Sequence, residues 1–408
     1  MEERDLTEST DSTPPSFPMA RGCPFQPPPQ YAELRAESPV AQVTLPSGST
    51  AWAISSYELV REFLADPRTS ANRAHPNYPS VLPRQPVSSK EAKGLLTWMD
   101  PPEHTIHRRM VVNEFTAKRV AAMAPRIREI TDSCLDDMIK SGGPVDLVQS
   151  LSLAVPSRVI CELLGVPYED RELFDRRSAI ILNHQSSVED RMTAWRGLRG
   201  YLSELVTAKA NDPGDDLLSR LVKKYQDAGT FDLEILTGVA NALLVAGHET
   251  TANMISLGTV FFLQHPEELA QFKANPETAP QVVEELLRYF SIADYSTSRV
   301  TTADMEIGGV FIPEGSGVIA LNSAADHDEA EFERPGEFDA HRDARRQMAF
   351  GYGIHQCLGQ SLARLELEIV FTRLFERIPD LRLDATTEEL SFKHNAAFYG
   401  IFEVPVSW

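Results

Sequence analysis

One long apolar helical run, from about Asp232 to Gln264, constrains this chain most; the pair His265-Pro266 stops it. The surrounding sequence is also mainly helical. Helical patterning covers Pro101 to about Ala210, with breaks near Gly142-Gly143-Pro144 and Gly165 to Pro167, and returns over Ala279–Tyr289 and Gly359–Arg377. Strand-like texture is confined to short pieces. Gln42–Leu45 and Thr50–Ile54 read as a hairpin, and residues 296–321 carry short Val/Ile/Thr runs between Gly and Pro turns. No repeat or linker divides the chain. The expectation is a mainly α fold with small β-sheets over residues 19–408, after a disordered polar tail at 1–18. The Pro-, Ser- and Asn-rich stretch 71–99 reads as a long loop, of a length that usually carries function.

Composition narrows the partners. The 39 Lys+Arg against 59 Asp+Glu give a net charge of −20 over 408 residues, which argues against nucleic acid or an anionic membrane surface. An apolar share of 42% is enough for a large core and excludes a mostly disordered chain. The start is acidic and polar, without the apolar region of a secretory signal, and stretches such as Met254 to Gln264 are too short to span a membrane. Cys23, Cys134, Cys161 and Cys357 lie far apart with no CxxC pair, so neither a disulfide framework nor a four-Cys zinc site is expected, and a reduced cytoplasm is the default.

The sharpest local feature is Phe350-Gly351-Tyr352-Gly353-Ile354-His355-Gln356-Cys357-Leu358-Gly359, a cysteine at a helix start after two glycines. Glycines let the backbone turn tightly, so amide N–H groups and a helix N-terminus can face the sulfur and favour a thiolate. Gly359 leaves room for a flat cofactor against the helix. Such a thiolate suits an axial ligand to haem iron. A buried structural cysteine and a nucleophile paired with His355 are the alternatives.

The central helix contains Ala246-Gly247-His248-Glu249-Thr250-Thr251. A mid-helix Thr that bonds back to the carbonyl one turn earlier opens a groove for water. An acid and an alcohol beside it could relay protons, and Gly247 would let a ligand approach the backbone. The alternative is a solvated polar patch. Glu285 and Arg288 are i, i+3 and share a helix face, as a buried pair or an ordinary surface one. His104 and Arg108 are i, i+4 on a helix opened by Asp100-Pro101-Pro102-Glu103.

Together these segments resemble the cytochrome P-450 family. The cysteine segment matches its F-G-x-G-x-H-x-C-x-G signature, and the likeness extends from about Pro24 to Trp408. The texture is most similar to soluble actinobacterial members that oxidise natural products or xenobiotics. The resemblance implies one haem domain, with haem b between a large helical lobe and a smaller β-rich lobe. It implies that Cys357 is the proximal ligand, with Phe350, Gly351 and Gly359 around it. His104, Arg108, Arg299 and His355 would hold the propionates. Thr250 would orient the oxygen-activating hydrogen bonds and Glu249 would feed protons, while His248 has no role beyond a substrate contact. Glu285 and Arg288 would be a buried structural pair. The family often has Arg in the third place of P-x-R-F. Here the segment is Pro335-Gly336-Glu337-Phe338, and Arg342 is the candidate replacement.

The resemblance also sets the distal pocket. Residues 71–99 and 170–200 would cover it, with Leu243, Leu244, Ala246, Ile292, Ala293 and Phe398 facing the haem and Arg73 and Arg84 available for a polar substrate end. The implied activity is monooxygenation by O2 of a hydrophobic small molecule, and beyond the haem module 408 residues are expected to leave no room for a fused flavin or iron–sulfur domain. Electrons would come from an external ferredoxin and an NAD(P)H-dependent ferredoxin reductase, met by a monomer at a basic face. His341–Arg346 and Pro101–Arg119 each carry a local charge of +2. A haem-thiolate reductase of nitric-oxide-reductase type and a non-catalytic haem- or ligand-binding module are the competing functions. Glu249-Thr250 speaks against both.

Overall fold

A computed structural model of the chain describes residues 13–408 apart from 82–91, 183–185, 294–295, 395 and 397. The helices that build the site are α1 (Tyr57–Ala65), α2 (Glu103–Val112), α3 (Ala154–Leu164), α4 (Val188–Asn211), α5 (Leu233–Gln264), α6 (Ala279–Phe290) and α7 (Gln360–Arg377). The expected central helix is α5. Asp232 caps it by accepting from the backbone N–H groups of Glu234 and Ile235 at 2.9 and 3.2 Å.

Being apolar on nearly every side, α5 can only be satisfied inside other helices. It packs against α3, α4, α6 and α7. One core cluster links buried residues of these helices, among them Leu198, Leu236, Val260, Leu286 and Phe371. The exception on α5 is its middle. Ala246 is exposed and Gly247 and Thr250 half-buried, although Ala240 and Ala252 to either side are buried.

The β pieces form three small sheets. The largest contains β1 (Val40–Thr44), β2 (Thr50–Ile54), β3 (Thr69–Ser70), β5 (Ser298–Thr301) and β8 (Gly317–Ala320) in the order β1-β2-β8-β5-β3. β1 and β2 are the expected hairpin, with Gln42 opposite Trp52. A three-stranded sheet joins β4 (Val145–Asp146), β10 (Pro405–Ser407) and β9 (Arg382–Leu383), and β6 (Met305–Ile307) pairs with β7 (Val310–Ile312). Two smaller apolar clusters pack around the large sheet, one of them containing Ile54, Val60 and Val318.

The expectation of a disordered tail through residue 18 needs correction at its end. Ser16 bridges to Thr44, and the Phe17 N–H donates to the Thr44 carbonyl at 2.8 Å while its ring is buried. An aromatic side chain next to an open strand edge has both apolar surface and backbone partners to gain. Residues 1–12 lie outside the described part.

Candidate functional site

Cys357 sits just before α7. A 3-10 turn at Gly353–His355 precedes it, and the Cys357 N–H closes the loop onto the Phe350 carbonyl at 2.9 Å. Gly353 has φ +73°, and a Cβ there would come 2.3 Å from the Leu64 carbonyl oxygen at the end of α1, so the turn demands glycine. At Gly359 the Cβ direction meets no protein atom within 4 Å. The accessible surface of Cys357 faces a large cavity. Backbone N–H groups of Gly359 and Gln360 and the charges of Arg108 and Arg364 stabilise a thiolate there, but burial outweighs them and pushes the thiol pKa up. A metal would have to displace the proton.

Four nitrogenous side chains gather beside this loop. Arg108 on α2 donates to the Gln356 carbonyl at 2.6 Å. Arg299 on β5 is buried and donates to the Ser298 carbonyl at 2.8 Å. The His104 and His355 rings lie 4.2 Å apart. Burial, with Arg108 and Arg299 nearby, holds His104 down to about 4. Burial and the same cations bring His355 to about 2. His104 is 1% exposed, yet neither ring nitrogen has a partner. A cluster with two guanidiniums and buried unmet ring nitrogens fits carboxylates.

On α5 the Thr250 hydroxyl donates to the Ala246 carbonyl at 2.8 Å, the back-bond that opens a helix groove. Gly247 serves packing as well as access, because a Cβ there would press on Ile160 of α3 at 3.0 Å. Glu249 is buried and absent from the cavity wall. Its Oε1 accepts from the Lys393 ammonium at 2.9 Å, and Lys393 also donates to Asn253 Oδ1 at 2.9 Å. His248 is buried and off the cavity wall, which removes the suggested substrate contact.

The cavity has a volume of about 610 Å³. Leu243, Ala246, Ile292, Ala293 and Phe398 line it, as do Arg73, Phe350 and Gly351. Leu244 does not. It is 1% exposed and belongs to the helical core, because one residue further along a helix turns about 100° away. Arg84 lies outside the described residues. Arg73 lies on the cavity with its Nε unpartnered and its guanidinium 5.6 Å from the Trp98 ring centre, so it is not solvated on an open surface.

Glu285 and Arg288 are fully buried and pair twice, at 2.7 and 2.8 Å. Arg288 also donates to the carbonyls of Asp326 and Pro335 at 2.8 and 2.9 Å, on the segment leading to the cysteine loop. The third member of this network is Arg342, whose Nε lies 3.1 Å from Glu285 Oε1.

Comparison with known proteins gives the family. The profile of the cytochrome P450 family matches residues 274–383. Vitamin D3 dihydroxylase of Streptomyces griseolus is 44% identical over 402 residues, covering 98% of each chain. Pentalenic acid synthase of Streptomyces avermitilis is 44% identical over 397 residues, covering 97% of this chain and 98% of that one. The crystal structure of cytochrome P450 MoxA from Nonomuraea recticatena superposes with a TM-score of 0.89 at 49% identity, covering 96% of this chain and 98% of that one. The chain belongs to the cytochrome P450 family.

This P450 is an oxidoreductase, a haem-dependent monooxygenase with the mainly helical fold of its relatives. Its residues fit the haem: a cysteine facing the cavity, a glycine with open space before it, and buried nitrogen donors with no partner. Several site residues carried no local signal. Lys393 comes from the C-terminal segment. Arg191, Trp195 and Asn241 reach the cavity from α4 and α5 without any motif. Glu366 on α7 also lines it, and burial pushes its carboxyl up to about 8.

Proposed function

We propose that this P450 inserts one oxygen atom of O2 into a C–H bond or alkene of a hydrophobic natural product or xenobiotic, using haem b ligated by Cys357. The observation that carries this is the joint opening of Cys357 and the Thr250 groove onto one mostly apolar cavity. When bound, thiolate-ligated haem supplies the electron-rich iron that favours O–O cleavage. His104, Arg108, Arg299 and His355 hold its two propionates, and Phe350, Gly351 and Gly359 shape the face it lies against. The Thr250 proton is committed to the Ala246 carbonyl, so the hydroxyl oxygen accepts from a donor in the groove. Glu249 feeds protons from behind, and Lys393 fixes its carboxylate. The apolar wall of Leu243, Ala246, Ile292, Ala293 and Phe398 excludes water and orients the substrate.

We place the haem domain over residues 19–408 and the enzyme in the cytoplasm as a monomer. In support, no helix among the described residues is long and apolar enough to cross a membrane. Electrons come from an acidic ferredoxin and its NAD(P)H-dependent reductase. The surface beside the cysteine loop suits that partner, with Arg109 and Ile106 exposed on α2 and Ile354 exposed on the loop itself.

The test is the carbon monoxide difference spectrum of the reduced holoenzyme. A thiolate-type Soret shift is expected, lost in Cys357→Ala; its absence, or its survival in the variant, refutes the reading. Product formation with NADPH, ferredoxin and reductase then separates a monooxygenase from a haem-thiolate reductase or a binding module.

A further inference from the structure

We propose that α4 and α5 build an anion site into the cavity roof from Arg191, Trp195 and Asn241, and that the substrate is a hydrophobic molecule bearing a carboxylate. This deepens, and rests on, the P450 reading above. Arg191 and Trp195 are i, i+4 on α4 and share one face. Both line the cavity, and Arg191 Nε and Trp195 Nε1 are buried without a partner. Asn241 on α5 lines the same cavity at 1% exposure, with Oδ1 unpartnered. Three polar side chains from two packed helices thus converge on a largely apolar space.

The charge decides the ligand class. A guanidinium cannot be deprotonated in a protein, and buried charges are ordinarily paired. Arg191 is 4% exposed and has no carboxylate within ion-pair distance among the described residues. Arg199, two turns along the same helix, shows the satisfied state, at 2.8 Å from Glu234. Other cavity arginines have another destination. Arg108 and Arg299 belong to the cluster proposed for the cofactor's carboxylates, and the Arg73 guanidinium faces the Tyr78 and Trp98 rings, 5.8 and 5.6 Å from their centres. Arg191 stands on α4, outside that cluster. A neutral hydroxyl would satisfy a hydrogen bond and leave the charge uncompensated, whereas a carboxylate answers both. Trp195 is a second pure donor, and Asn241 can turn its amide N–H to the same anion. With the acid held there, the apolar remainder lies against Leu243, Ala246, Ile292 and Phe398. The carbon presented at Thr250 is then remote from the acid.

The experiment measures binding by calorimetry on the ferric holoenzyme, with dodecanoic acid, 1-dodecanol and methyl dodecanoate as probes. The acid is expected to bind about tenfold more tightly than either neutral probe. Arg191→Leu should abolish that preference, and Arg191→Lys should keep part of it. Equal affinity for acid and alcohol in the wild type, or a preference that survives Arg191→Leu, overturns the proposal. The reduced carbon monoxide spectrum of every variant reports thiolate ligation independently, so failure of the haem reading is seen apart from failure of the anion site.

Discussion

The Lys393 ammonium lies 2.9 Å from Glu249 Oε1 and 2.9 Å from Asn253 Oδ1, tying the C-terminal segment to the middle of α5. The contact is tight. Lys393 N–H donates to the Gly400 carbonyl at 2.8 Å, and a Cβ on Gly400 would come 2.2 Å from Asn253 Oδ1. Lys393→Met leaves the buried Glu249 carboxylate unpaired and should cost about 3 kcal/mol of stability. It should also lower product formed per NADPH consumed, because the carboxylate loses its fixed position. Lys393→Arg should recover part of both. The pair Lys393→Met/Glu249→Gln should recover stability without coupling. Denaturant titration and a product-to-NADPH ratio check this, and full coupling in Lys393→Met rejects the positioning role.

Two glycines near the cysteine should respond in opposite ways. Gly353→Ala places a methyl against the Leu64 carbonyl at positive φ, so the loop cannot close and the protein should lose stability as well as haem. Gly359→Ala meets no protein atom within 4 Å. It should keep the apoprotein's thermal midpoint and lower haem content, because its methyl intrudes on the cofactor's space. Haem-to-protein ratio and differential scanning fluorimetry separate the two, and full haem loading in Gly359→Ala means that the cofactor lies elsewhere.

The basic face is smaller than the linear sequence suggests. Arg345 is paired with Asp343 at 2.6 Å, Arg346 with Glu331 at 2.8 Å, and Arg342 with Glu285 at 3.1 Å. Arg109 and Lys118 are exposed with no ion pair among the described residues. Charge reversal at Arg109 and Lys118 should slow reduction by ferredoxin about tenfold at low salt, with substrate binding unchanged. Arg345→Glu and Arg346→Glu should have a smaller effect. Stopped-flow reduction at two ionic strengths measures this, and equal rates for wild type and Arg109→Glu/Lys118→Glu count against the assigned face.

What the sequence made legible follows from how local each signal was. The Cys357 segment and Glu249-Thr250 are contiguous, and their chemistry is written in the spacing of a few residues. Leu243 and Leu244 differ only in which face they present, and a helix apolar all round gives no phase to tell them apart. Lys393 and Glu249 are 144 residues apart, so no window could pair them. Arg342 was visible as a spare cation, yet only the fold brings it to Glu285. Arg191 carries no motif; its meaning lies in lacking a partner, which is a property of three dimensions.

The buried pair at the foot of the cysteine-loop segment should dominate stability. Arg288 and Glu285 are both 0% exposed, and Arg288 satisfies three carbonyls besides, those of Asp326, Pro335 and Glu337. Arg288→Leu strands a buried carboxylate and should cost about 3–5 kcal/mol. Arg342→Leu removes a cation that is 9% exposed and should cost less, since Glu285 keeps Arg288 and the Asp339 N–H at 3.0 Å. Urea midpoints of the two variants give the comparison, and equal losses would mean that Arg342 carries as much of the network as Arg288.

His327 should set part of the acid limb of stability. It is 6% exposed, its Nδ1 faces the Ser323 carbonyl at 2.9 Å, and its Nε2 has no partner. Burial first, and then the charge of Arg288, hold its pKa down to about 3. The unfolded chain takes up a proton below about pH 6.5 that the folded chain refuses, so this contribution is complete above pH 6.5 and is lost as pH falls toward 3. Between pH 6.5 and 5 the loss amounts to about 2 kcal/mol. His327→Gln keeps a hydrogen-bonding side chain but cannot titrate. Its urea midpoint should fall less between pH 7 and pH 5 than the wild type's, by that same amount of free energy. Parallel acid limbs for the two proteins would show that His327 is not the group that titrates.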